Sequence, residues 1–110
     1  MSRVVVRENE PIKYKTFFNE NETEFLRTLM SAVVSDGTAS YLSGQSYFAA
    51  GKTGTAQVSD SSDQTNSLFT GYATKEGYEP IAIAVVLEDN NGSWQSAVTV
   101  SRTILDSYFQ

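Results

Sequence analysis

The 110 residues include neither cysteine nor histidine. Without cysteine there is no disulfide, no thiol nucleophile and no zinc-thiolate site. Without histidine the usual general base and commonest metal ligand are gone. Much familiar chemistry is thereby excluded, and no cofactor or metal is expected. The lack of cysteine decides nothing about compartment. Long apolar runs are also missing: Ile81 to Leu87 is the longest, far short of the roughly 20 residues that span a bilayer. No signal-peptide pattern opens the chain, so it reads as soluble. Positive charge is scarce, with 8 Lys and Arg against 13 Asp and Glu and a net charge of −5. The basic residues are scattered, so a phosphate backbone would be repelled more than attracted, and no nucleic-acid partner is expected.

What is present is ordinary globular composition: 40% hydrophobic, 19% charged and 12% aromatic. A chain of this length has room for one domain, taken as 1–110. It buries roughly 60 to 70% of the surface that its extended form exposes, enough for one modest core. A cleft between two lobes would need its second lobe from other polypeptide.

Val4, Val5 and Val6 suit a short strand within Met1 to Arg7, and Ile12 to Tyr14 a second extended piece. Asn21-Glu22-Thr23-Glu24 pairs an N-cap residue with a glutamate three positions on. Phe25, Leu26, Leu29, Met30, Val33 and Val34 then recur at helical spacing, and Asp36-Gly37 offers a stop, which predicts a helix over 22–35 with that stripe in the core. Tyr47 to Val58 has strand character, with glycines that suggest close approach by something else. Ser59 to Thr65 is wholly polar and reads as a solvated loop. Leu68 to Ala73 and Pro80 to Glu88 flank Lys75-Glu76-Gly77-Tyr78 as an antiparallel hairpin. Its second strand is apolar throughout Ile81 to Leu87, which predicts a central strand covered on both faces. Ser93 is placed to cap a last helix over 94–108, with Trp94 as a packing anchor. The order implies an α+β arrangement, an antiparallel sheet covered by helices.

The most informative run is Ala50-Gly51-Lys52-Thr53-Gly54-Thr55-Ala56-Gln57. A phosphate-cradling loop would need a glycine five positions before Gly51 and a helix after Thr53. Ser46 stands at that position, Gly44 is two residues too early, and strand-like sequence follows. The alternative is the Lys-Thr-Gly strand that accompanies S-x-x-K and S-D-N motifs in serine acyl-transfer enzymes. A lysine ammonium and a threonine hydroxyl can bind a carboxylate, one by charge and one by hydrogen bond. A following glycine leaves the strand margin bare for an extended peptide to pair along it.

Over almost its whole length the chain resembles the C-terminal part of high-molecular-weight penicillin-binding proteins, the D,D-transpeptidases of the serine β-lactamase-like superfamily. The segment Met30-Ser31-Ala32-Val33-Val34-Ser35-Asp36-Gly37-Thr38, the run Ala50 to Gln57 and Phe69-Thr70-Gly71-Tyr72 carry the resemblance. One departure stands at Leu68, where the family often has an aromatic. The resemblance implies a partial transpeptidase domain in which Lys52 and Thr53 engage the carboxylate of a D-alanyl-D-alanine stem peptide or a β-lactam. Gly54 permits close approach. Thr55 supplies a backbone N–H to the oxyanion hole, a donor typically worth about 3 kcal/mol of barrier. It also implies an extracytoplasmic, membrane-anchored parent in bacteria.

No serine here is followed three residues later by lysine, and no Ser-x-Asn triplet occurs. The chain is read as starting after those motifs, so that it forms no acyl-enzyme alone. The missing N-terminal part of the domain is then its natural partner, and a homodimer is a second way to cover surfaces left open. Other readings stay open at this point. Lys52 and Thr53 also suit an ordinary edge strand, where lysine discourages aggregation. The chain as a whole also suits a non-catalytic penicillin-recognition or assembly module. Glu8, Glu10, Glu20, Glu22 and Glu24 read as a solvated face.

Overall fold

The structure, a computed structural model, describes residues 5–57, 64–88 and 96–110. Its elements run α1 (Glu20–Asp36), a 3-10 turn (Ser40–Leu42), β1 (Phe48–Gln57), β2 (Thr65–Thr74), β3 (Ile81–Leu87) and α2 (Ala97–Tyr108). The strands form one antiparallel sheet in the order β1-β2-β3. The architecture is therefore α+β, a sheet with helices packed on it, as the order of elements in the sequence implied.

Helix α1 begins two residues before the predicted start. Asn19, rather than Asn21, is the N-cap: its Oδ1 accepts from the Glu22 N–H at 2.8 Å, and Glu22 accepts from the Asn19 N–H at 3.0 Å. The pattern Asn-x-x-Glu occurs twice in overlapping frames, and the first frame also puts Glu20 and Glu22 in the first turn, where carboxylates favour the helix dipole. Gly37 closes the helix as its C-cap.

The predicted core stripe of α1 is only partly realised. Val34 is buried and Met30 and Val33 are half-buried, but Phe25 is 63% exposed and Leu29 48%. Periodicity aligned these side chains on one face, but of that stripe only Val33 and Val34, near the end of the helix, pack in or against the core cluster. The strands expected within residues 1–7 and 12–14 do not form among residues 5–19, and Val6, Ile12 and Tyr14 stand exposed. Residues 1–4, with Val4, lie outside the described ones; a β-branched run needs a partner strand to become one, and among the described residues none pairs with it.

Between β2 and β3 the Tyr78 N–H donates to the Lys75 carbonyl at 3.1 Å, and Gly77 has φ 86°. A positive φ at the third position of a four-residue turn is what glycine supplies, so the predicted hairpin forms. β2 begins at Thr65, so the polar segment yields that residue to the sheet. Its residues 59–63 lie outside the described ones, as do Ser93 and Trp94. The last helix starts at Ala97, capped by Ser96, whose N–H donates to Thr99 Oγ1 at 2.8 Å.

Among the described residues β3 is the last strand of the sheet, not the central one expected, and its residues alternate between half-buried and exposed. Directly paired residues of antiparallel strands share a face. One face carries Ala49, Phe69, Ala73, Ile81, Ile83 and Val85. These pack with Val34, Leu42, Tyr47, Ala97, Val98, Leu105 and Phe109 as the core. The other face carries Lys52, Gly54, Thr70, Ala84 and Val86, which stand exposed. Two alanines on that side let an unbroken apolar run behave as a one-sided strand.

The C-terminus is pinned by aromatic rings. Phe109 stacks on Tyr47 with centroids 4.9 Å apart and meets Tyr78 edge-on at 5.4 Å. Its carbonyl accepts from Lys75 Nζ at 3.1 Å, so the end of α2 is tied to the β2–β3 turn. No helix of the described residues is long and apolar enough to cross a membrane.

Candidate functional site

Strand β1 changes character halfway along. Ala49, Ala50 and Gly51 are buried, whereas Lys52 and Gly54 to Gln57 are exposed and Thr53 is half-buried. Helix α1 packs along β1, and its last turns and the segment after it account for the buried half. Among the described residues β1 has a strand neighbour on one side only. The stretch from Lys52 to Ala56 is therefore, among those residues, an open sheet margin.

The direction of its backbone groups follows from one contact. Lys52 Nζ donates to the Thr53 carbonyl at 2.7 Å. A strand carbonyl reached by a side chain in this way is turned from the neighbouring strand toward the free edge. In an antiparallel ladder the N–H and C=O of one residue point the same way, and this alternates with period two. Thr53 and Thr55 thus present both groups to the free margin, while Lys52 and Gly54 pair inward with Thr70 and Leu68.

Lys52 and Thr53 leave the strand on opposite faces, as consecutive strand residues must. They meet only because the lysine chain curls round the margin to Thr53's own carbonyl. The Thr53 hydroxyl is not free: its Oγ1 lies 2.6 Å from Oγ1 of Thr38, fifteen residues earlier. Thr38 follows the C-cap of α1 in a turn fixed by the Ala39 N–H, which donates to the Val33 carbonyl at 3.0 Å, and by burial of Ala39. Nothing in the sequence pairs these two threonines; the contact appears only once α1 lies along β1.

A Cβ at Gly54 would come no nearer than 3.6 Å to Leu68, so a side chain fits there without strain and would simply cover the margin. Thr55 is exposed opposite Ser67, whose hydroxyl accepts from the Ala97 N–H at 3.0 Å. Beside the margin an open depression of about 250 Å³ is lined by Lys52, Gly54, Leu68, Thr70, Ala84 and Val86 among others. The strand structure through Gln57 also removes the phosphate-loop alternative, which needs a helix after Thr53.

Upstream of the margin a polar brace fixes where β1 begins. The Tyr47 hydroxyl donates to Asp106 Oδ1 at 2.7 Å, and Arg102 Nε lies 3.6 Å from Asp106 Oδ2. The Arg102 guanidinium sits 4.3 Å from the centre of the Tyr41 ring. Burial, then the hydrogen bond and charge of Asp106, push the Tyr47 phenol well above its ordinary range, with Arg102 acting the other way. Among the described residues no group of three or more acidic side chains is placed to hold a metal ion.

A family model described as the penicillin binding protein transpeptidase domain matches residues 1–106. No curated protein and no solved structure matches the chain.

Proposed function

The chain belongs to the penicillin-binding protein transpeptidase family, and from that premise we propose that it is one incomplete domain, 1–110, supplying the substrate-orienting strand of a peptidoglycan D,D-transpeptidase. The observation that carries this reading is the open half of β1. There an ammonium, a hydroxyl and outward-facing backbone groups share one margin. An acyl-D-alanyl-D-alanine strand or a β-lactam would pair along Thr53 and Thr55 in the manner of an added β-strand. Its terminal carboxylate would take Lys52 by charge and Thr53 by hydrogen bond. The Thr55 N–H would then face the scissile carbonyl oxygen as one oxyanion donor.

The acyl transfer itself needs a serine nucleophile and its base. Neither S-x-x-K nor Ser-x-Asn occurs in these 110 residues, so that half of the chemistry comes from polypeptide outside them. In the family reaction the serine takes the acyl group of a stem peptide, D-alanine leaves, and the acyl group passes to the amine of a neighbouring strand. The chain alone is expected to form no covalent adduct with a penicillin. Mixed with a polypeptide bearing the two serine motifs of the same domain, it should restore labelling by a fluorescent penicillin, and Lys52→Met or Thr53→Val should lower that labelling at least tenfold. Labelling of the isolated chain, or restored labelling indifferent to Lys52 and Thr53, would refute the reading.

A second reading, a non-catalytic penicillin-recognition or assembly module, draws on the exposed apolar stripe of Phe25, Leu26 and Leu29 and the exposed face of Ala84 and Val86. On that reading another polypeptide, such as a second copy in a homodimer, covers these surfaces. Light scattering separates the two: a concentration-dependent dimer that never becomes acylated on mixing favours the module.

A further inference from the structure

We propose that Thr38 is a positioning residue for the margin, and that its hydroxyl fixes the Thr53 hydroxyl as a donor aimed at the incoming anion. The inference rests on the carboxylate reading above and deepens it. The two Oγ1 atoms lie 2.6 Å apart, close enough that one hydroxyl must donate to the other. Each threonine has a single hydroxyl hydrogen. If Thr53 donates to Thr38, its hydrogen is spent and it turns lone pairs toward an anion. If Thr38 donates to Thr53, the Thr53 hydrogen is free to point outward, and its oxygen, already accepting, is polarised so that it donates more strongly. A carboxylate at the margin selects the second arrangement, giving the chain Thr38 Oγ1–H to Thr53 Oγ1–H to carboxylate oxygen.

The framework suits this task. Thr38 lies between the C-cap Gly37 and the fully buried Ala39, and the Ala39 and Ser40 N–H groups close the turn on the Val33 and Gly37 carbonyls at 3.0 and 3.2 Å. Thr38 is itself exposed, but its backbone is held by the buried Ala39 and this turn, while Thr53 is half-buried on the strand that would meet the ligand. The same strand residue also receives the Lys52 ammonium, on its carbonyl. An anion arriving here draws on both neighbours of one residue. Directly across from Thr53 stands Phe69, and across from Phe69 stands Val85, both apolar.

The test is a titration of N-acetyl-D-alanyl-D-alanine into the isotopically labelled 110-residue chain, read from the amide shifts of Gly54 and Thr55. Thr38→Val keeps the shape and removes the hydroxyl; one net hydrogen bond predicts about a fivefold weaker Kd. Thr38→Ser should return binding to within about twofold of the parent. Three-bond couplings should show Thr53 χ1 in one rotamer in the parent and in the Ser variant, and averaged in Thr38→Val. Thr38→Ala serves as a second hydroxyl-free variant should the valine perturb the turn. If Thr38→Val binds like the parent while Thr53→Val does not, the role of Thr38 is overturned and the carboxylate reading survives. If Thr53→Val and Lys52→Met bind like the parent, or the parent does not bind, the carboxylate reading falls first and takes the role of Thr38 with it.

Discussion

The ring of Phe69 lies across Gly51 of the neighbouring strand, so close that a Cβ on Gly51 would come within 2.4 Å of the ring's Cζ and 2.5 Å of the Thr70 carbonyl. Phe69 is buried in the core, and Gly51 pairs directly with a second glycine, Gly71, whose own Cβ would meet the Ala50 carbonyl at 2.2 Å. Two strand glycines, each a cost in backbone entropy, thus make room for one aromatic that anchors the sheet beside the open margin. The Gly-Lys-Thr run owes its first glycine to packing.

Gly51→Ala is accordingly expected to destabilise the chain by about 1–3 kcal/mol, the usual range for overpacking a filled core. Gly71→Ala should cost at least as much, because its Cβ would meet the Ala50 carbonyl at 2.2 Å, nearer than any contact at Gly51. Urea unfolding followed by circular dichroism measures both; a Gly51→Ala midpoint equal to the parent's would show that β1 and β2 are not held in this register.

Gly54 should behave in the opposite way. With 3.6 Å of clearance, Gly54→Ala is predicted to leave stability within about 0.5 kcal/mol of the parent, yet to weaken binding of an acyl-D-alanyl-D-alanine peptide severalfold by covering the margin. The two measurements together distinguish a glycine needed for approach from one needed for folding.

The pH dependence of stability carries the signature of Tyr47. Its phenol is raised above its ordinary value by burial and by Asp106, so the folded chain retains this proton where the unfolded chain has lost it. That contribution is whole below the unfolded value of about 10 and drains away as the pH rises beyond it. Melting temperature should fall more steeply above pH 10 in the parent than in Tyr47→Phe. Parallel curves would remove the burial of Tyr47 and its hydrogen bond to Asp106 from the account.

At the start of α1 two asparagines compete in sequence and one wins in structure. Asn19→Ala should cost about 1 kcal/mol, as cap removal generally does, whereas Asn21→Ala, on the exposed first turn, should stay within about 0.5 kcal/mol. Helix content by circular dichroism and the urea midpoint check the pair.

These contrasts also show how far residues alone could lead. The α1 helix, the β2–β3 hairpin and the α+β order were legible because each has a local cause: 3.6-residue spacing, a glycine turn, a capping pattern. What escaped depends on neighbours distant along the chain. Phe25 and Leu29 share a face with Val34, but periodicity cannot say that packing ends partway along the helix. Ile81 to Leu87 reads as central when only composition is weighed; among the described residues the strand order ends at it. The Lys-Thr-Gly-Thr segment was legible as an exposed strand, but the Thr38 contact and the divergence of Lys52 and Thr53 to opposite faces required the register of β1 against β2 and the course of α1.

The division of β1 into a clamped half and an open half has a thermodynamic consequence. The open half projects from the core like a cantilever, its φ and ψ already fixed by the buried residues behind it and by pairing with β2. Were a peptide to pair along it, as proposed, it would surrender mainly its own freedom, since the margin has been ordered in advance by folding.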